Sequence, residues 1–201
     1  MGITDQCRDV KELNPLCQIL LNQAIKEIKA EGINPLVVET YRSQARQDYL
    51  YSQGRTVKGT KVTWTLNSIH TKRNAVDVVP QRMVGGKMTA IWNANDKETK
   101  KIISIMTKYA FESGGNWATP DSPHFQIKGV SDTAKSYSDT NTNTYISKMI
   151  QTLLNEKNKA GLTVDGKWGA NTTKAVNKFR SKQGWKQDGK VGVATLKKLL
   201  K

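Results

Sequence analysis

The chain has 201 residues, 37% of them hydrophobic, which suffices for one large domain or two small ones, and no stretch approaches a membrane span. Its formal charge of +15 favours an anionic partner: nucleic acid, an anionic membrane or an acidic wall polymer. The excess is uneven, since residues 1–130 carry 18 Lys and Arg against 12 Asp and Glu, whereas residues 131–201 carry 14 against 5.

Near the start, Cys7 and Cys17 lack both CxxC spacing and the numbers for a disulfide framework, so reduced structural thiols are expected. The first residues contain no apolar run of the secretory type, which predicts a protein made and held in a cytoplasm. Asn14-Pro15 is a helix start, with Asn as N-cap and Pro at the first helical position. Leu16, Ile19, Leu20, Ala24, Ile25 and Ile28 carry an apolar stripe from there to Ala30, and Gly32 ends it. Leu36–Thr40 reads as a strand and Ser43–Gln53 as a second helix closed by Gly54. Residues 54–67 read as a polar loop. Ala75–Val79 is a short strand that Pro80 is expected to end, and Gly85-Gly86 marks a turn. Asp96 caps a helix with Ile102, Ile103, Ile105, Met106, Tyr109 and Ala110 on its apolar face, which Gly114-Gly115 is expected to stop. His124–Ile127 reads as a further strand. Helices and strands mix without regular βαβ alternation, which argues for an α+β fold.

From Gly129 to Thr144 the composition turns to Ser, Thr, Asn and Asp, the expected interdomain linker. Ile146, Met149, Ile150, Leu153 and Leu154 then follow at helical spacing. Asp165-Gly166-Lys167-Trp168-Gly169-Ala170-Asn171-Thr172 matches Asp188-Gly189-Lys190-Val191-Gly192-Val193-Ala194-Thr195 at a period of 23. Two copies are too few for a solenoid, so a compact three-helix unit is expected, each copy being a turn that feeds a short helix.

Both histidines of the chain lie in ligand-like company. His70 is followed by Asp77 across a turn into a strand, and His124 begins a strand after Pro123. Imidazole and carboxylate are donors that zinc accepts, and a catalytic zinc takes three protein ligands and an open position. Asp121 is a carboxylate placed to take a proton from water, and Arg42 a cation placed to hold a substrate carboxylate or an oxyanion. Taken one at a time, each of these residues has an ordinary surface or turn role as its alternative.

The set Ser68-x-His70-x(6)-Asp77 with Asp121-x-x-His124 resembles the zinc D-Ala-D-Ala carboxypeptidase and L-alanyl-D-glutamate peptidase family, the VanY-like group that includes phage endolysins. Tyr41-Arg42-Ser43-x-x-x-Gln47, Tyr51-x-x-Gly54-Arg55-Thr56 and Gly114-Gly115-Asn116-Trp117 extend the resemblance over residues 10–130. It implies that His70, Asp77 and His124 bind Zn2+, that Asp121 is the general base, that Arg42 supports the substrate or intermediate, and that Ser68 and Gln47 line the site. The family usually has Gly where this chain has Arg73, so a positive φ is expected nearby, at Asn74. The base is often Glu in the family and Asp in its endolysin branch, which points towards an endopeptidase.

The tail repeat, with Ala175-Val176-x-x-Phe179 after its first copy, resembles the helical peptidoglycan-binding domain of cell-wall hydrolases. The expected organisation is a zinc-peptidase domain with an antiparallel sheet (residues 1–130), a linker (131–144) and a three-helix wall-binding domain (145–201). The expected function is a monomeric endolysin that cuts a stem-peptide bond of bacterial peptidoglycan, L-alanyl-D-glutamate by preference. It would be held in the host cytoplasm before lysis and have no nucleic-acid or membrane partner. A D-Ala-D-Ala carboxypeptidase is the nearest alternative, and a non-enzymatic basic nucleic-acid-binding protein the alternative of another class.

Overall fold

Asn14 and Pro15 begin the first long helix as their order predicts. In the computed structural model, which describes residues 2–201, α1 spans Pro15–Ala30, and the Asn14 side chain accepts a hydrogen bond from the Leu16 amide at 2.9 Å. Its apolar face buries Leu16, Leu20, Leu21, Ala24 and Ile28. Each large side chain of that set contributes roughly 1.5–3 kcal/mol by leaving water. Helix α2 (Gln44–Ser52) is capped by Ser43, and α3 (Lys97–Lys108) by Asp96. The α3 helix stops before the expected Gly114-Gly115, because Ala110 takes a left-handed φ of 68° and Phe111 N–H turns back to Met106 O.

The strands are β1 (Pro35–Glu39), β2 (Ala75–Val84), β3 (Lys87–Ala90), β4 (Glu112–Ser113) and β5 (His124–Gln126). They form one antiparallel sheet in the order β1-β2-β5-β4, with β3 paired to the far half of β2. Pro80 does not end β2 as expected. It lies opposite Pro35, which also lacks an N–H, and its own carbonyl still accepts from Ile91. Register is what matters for the site: Glu39 of β1 stands opposite Asp77 of β2, and Asp77 stands opposite His124 of β5. Three polar residues on neighbouring strands are thereby aligned at one end of the sheet. Cys7 and Cys17 are buried free thiols.

The C-terminal unit holds α4 (Thr144–Asn158), α5 (Ala170–Ser181) and α6 (Val193–Leu199). The sequence repeat is also a structural one. Gly166 and Gly189 have φ of 78° and 70°, and their amides donate to Gln151 Oε1 on α4 and Asn177 Oδ1 on α5. The stretch expected as a linker is folded. Ser136–Tyr137 forms β6, which pairs with β7 (Val191–Gly192) near the end of the chain. Tyr137 is fully buried, and the Asn14 amide donates to the carbonyls of Asp132 and Ala134. Helix α1 also packs on α6, and one apolar core runs from Leu13 to Leu199. No helix among the described residues is long and apolar enough to cross a membrane.

Candidate metal centre

The sheet register brings the two histidines and Asp77 to one point. His70 Nε2, His124 Nδ1 and Asp77 Oδ1 form a nearly equilateral triangle with sides of 3.1, 3.2 and 3.2 Å. His70 sits on a single 3-10 turn (Ile69–Lys72) and is 1% exposed. Arg73 closes that turn at φ 59°, so the left-handed residue is Arg73 itself and not Asn74. The Arg73 guanidinium pairs with Glu12 and lies 3.9 Å over the Tyr41 ring, contacts that offset the cost of a left-handed non-glycine residue.

The outer nitrogens decide what the triangle can hold. His70 Nδ1 lies 2.6 Å from the Thr40 carbonyl, which can only accept, so Nδ1 carries the hydrogen and Nε2 presents a lone pair. Glu112 Oε2 accepts from Gln126 Nε2 at 2.9 Å, which leaves Gln126 Oε1 facing His124 Nε2 at 3.2 Å. His124 Nε2 is therefore the protonated nitrogen and Nδ1 the free one. Two lone pairs and a carboxylate oxygen then face one another with no donor between them, an arrangement that a cation stabilises. A tetrahedral ion with donors at about 2.0–2.1 Å would separate those donors by about 3.3 Å, close to the observed sides. Hydrogen bonds from the outer nitrogens to Thr40 and Gln126 are the usual means of fixing tautomer and ring orientation in such sites.

In the metal-free chain the three groups stabilise one another's charge instead. Burial alone would raise the Asp77 carboxyl, but the facing His70 and His124 rings hold it well below the usual carboxylate range. For His124 burial is again the largest influence, in the downward direction, and the Asp77 carboxylate outweighs it and raises the ring. Asp121 stands beside the triangle. Its side chain remains exposed on one side, and its carboxyl is pushed up first by the partial loss of water on the other and then by the negative charge of Asp77.

Arg42 lies at the edge of the centre, its Nη2 3.8 Å from Asp77 Oδ2. Its two terminal nitrogens are already engaged, with Glu39 at 2.6 Å and Gln47 at 2.8 Å. Glu39 also accepts from Arg46 Nε at 2.7 Å. Ser68 and Gln47, expected to line the site, support it from behind instead. Ser68 caps the 3-10 turn by accepting from the His70 amide, and Gln47 is fully buried between Arg42 and the Thr65 carbonyl. Thr40, Glu39, Gln126 and Glu112 are the contributors that the sequence did not single out. Trp117, from the Gly114–Trp117 motif, joins them, its ring 5.2 Å from that of His124 and its Nε1 donating to Glu112.

Gly114 explains how Asp121 and His124 share one turn. Its carbonyl accepts from the Asp121 amide at 2.9 Å, and a Cβ at this position would lie 2.6 Å from Asp121 O and 3.2 Å from His124 Cβ. Gly114→Ala must therefore displace the turn that carries Asp121 and His124. A loss of roughly tenfold or more in divalent-metal affinity is expected, measured by metal titration of the refolded protein, although Gly114 touches no metal.

Two family models match the chain. Residues 61–127 match one described as "D-alanyl-D-alanine carboxypeptidase", and residues 147–199 match one described as "Putative peptidoglycan binding domain". The peptidoglycan L-alanyl-D-glutamate endopeptidase CwlK of Bacillus subtilis (strain 168) is 35% identical over 107 residues, a match that spans 48% of this chain and 62% of that protein. The matched part is thus less than two thirds of the curated relative's length. Among solved structures, the L-Ala D-Glu endopeptidase ChiX of Serratia marcescens is 26% identical with a TM-score of 0.46, over 61% of this chain and 87% of that one.

Proposed function

We propose that this chain, which joins a peptidase segment of the D-alanyl-D-alanine carboxypeptidase family to a peptidoglycan-binding segment, is a zinc-dependent peptidoglycan hydrolase that cuts the L-alanyl-D-glutamate bond of the stem peptide. The observation that carries the reading is the triangle of His70 Nε2, His124 Nδ1 and Asp77 Oδ1, three acceptors turned on one point with sides near 3.2 Å. Zinc held there would lower the pKa of water towards neutrality and polarise a peptide carbonyl.

The chain's own groups supply the rest. Asp121 accepts a proton from the attacking water and returns it to the leaving D-Glu amine. Arg42 offsets the negative charge that develops on the carbonyl oxygen, and Glu39 and Gln47 fix its orientation. The choice of an endopeptidase over a carboxypeptidase follows the 35% identical relative, which is named an L-alanyl-D-glutamate endopeptidase. The repeat-containing unit holds the enzyme on the insoluble wall, where tethering raises the effective substrate concentration. Its surplus of Lys and Arg suits the anionic polymers of that wall. We read the whole as an endolysin-type lytic enzyme.

Digestion of purified peptidoglycan followed by mass spectrometry of the released ends tests this reading. New D-Glu amino termini are expected. Loss of terminal D-Ala with no new D-Glu termini would establish the carboxypeptidase instead.

A further inference from the structure

The approach to His70 carries an apolar strip with no partner in the fold. Val62, Trp64 and Leu66 occupy every second position of residues 61–67 and are 53%, 69% and 45% exposed. Large apolar side chains left this open in a row are characteristic of a contact surface. The strip is held firmly from behind. Gln47 Nε2 donates to the Thr65 carbonyl at 2.6 Å and to Thr63 Oγ1 at 3.2 Å, Arg55 donates to Thr63 O at 3.1 Å, and Gln44 donates to Leu66 O at 3.0 Å. It is also continuous with the site. The Gln47 amide that holds Thr65 accepts from Arg42 with its other end, and the chain runs from Leu66 through Ser68 directly into His70.

We infer that Trp64, flanked by Val62 and Leu66, is the surface on which the substrate's amino sugar stacks. The inference rests on the functional reading above and goes one step beyond it. L-Ala is the first residue of the stem, joined through the lactyl group to the glycan, so an enzyme that cuts after L-Ala must hold a sugar within one residue of its reacting centre. A pyranose ring presents a face of C–H groups, and an exposed indole is the side chain best suited to cover it. Met83, Val84 and Met88 are also exposed, but they lie at the far end of the β2–β3 hairpin, away from Asp77.

The test compares two soluble substrates, a muramyl-linked stem peptide and the same peptide without the sugar, with wild type, Trp64→Ala and Trp64→Phe. Trp64→Ala is expected to raise KM for the muramyl peptide about tenfold with little change in kcat, and to leave kcat/KM for the sugar-free peptide within about twofold. Trp64→Phe is expected to recover most of the loss, and titration with an N-acetylated amino-sugar oligosaccharide should quench tryptophan fluorescence in wild type but not in Trp64→Ala. Equal losses on both substrates, or no loss on either, would overturn the assignment. A wild-type protein that cleaves neither substrate refutes the functional reading itself, and the strip's role falls with it.

Discussion

His70→Ala is expected to abolish clearing of a purified wall suspension, by at least about 1,000-fold or roughly 4 kcal/mol of barrier. The ring is 1% exposed and fixed by Thr40 at 2.6 Å, so no neighbour can swing in to replace Nε2. Two donors, Asp77 Oδ1 and His124 Nδ1, remain, and catalytic zinc sites use three. The Thr40 carbonyl also loses its partner, a cost of about 1–3 kcal/mol in stability that leaves a domain of this size folded. Circular dichroism checks that the variant is folded, and turbidity follows the loss of activity. Chelation of the wild type should reproduce the loss, with recovery on adding zinc back, whereas the variant should not recover. A His70→Ala protein that clears walls as the parent does would rule out the metal centre as the source of activity.

Asp121→Asn is the second large effect, and it separates chemistry from metal binding. Asp121 lies outside the three-donor triangle, and its backbone is held by Gly114 O and by the His124 amide, so the Asn side chain should occupy the same place. Activity is expected to fall about 100- to 10,000-fold, the usual contribution of a positioned general base, while zinc affinity stays near that of the wild type. The pH profile gives a further signature. The base works deprotonated, so wild-type activity falls as pH drops through the Asp121 pKa. Partial loss of water and the Asp77 charge raise that pKa in the metal-free protein, and a bound dication pulls it the other way. The acid limb should disappear in Asp121→Asn, leaving a low rate that hardly varies with pH. Loss of zinc together with activity would instead make Asp121 a ligand.

The convergence of His70, Asp77 and His124 is legible because such residues are scarce: the chain has only two histidines, and each stands near a carboxylate. The first helix was legible for a similar reason, since Asn14-Pro15 is a local signal that tertiary contacts need not modify. What escaped depends on register. Glu39 and Gln126 are ordinary strand residues until the pairing of β1, β2 and β5 sets them around Asp77 and His124. The left-handed residue after His70 is Arg73, one position before the Asn74 that propensity favours, because propensity says nothing of the Glu12 and Tyr41 contacts that hold Arg73 there. The stretch 131–144 misleads because polar composition does not by itself mean solvent. Its Asn side chains bond backbone instead, Asn141 to Ser136 O and Asn143 to Lys128 O, and Tyr137 alone supplies a large buried anchor.

Native mass spectrometry of metal-stripped protein titrated with zinc tests the centre most directly. One zinc ion per chain is predicted for the wild type, with none retained by His70→Ala at the same concentration. A wild-type chain that takes up no zinc, or a variant that takes it up equally well, would contradict the assignment of His70, Asp77 and His124 as the metal site.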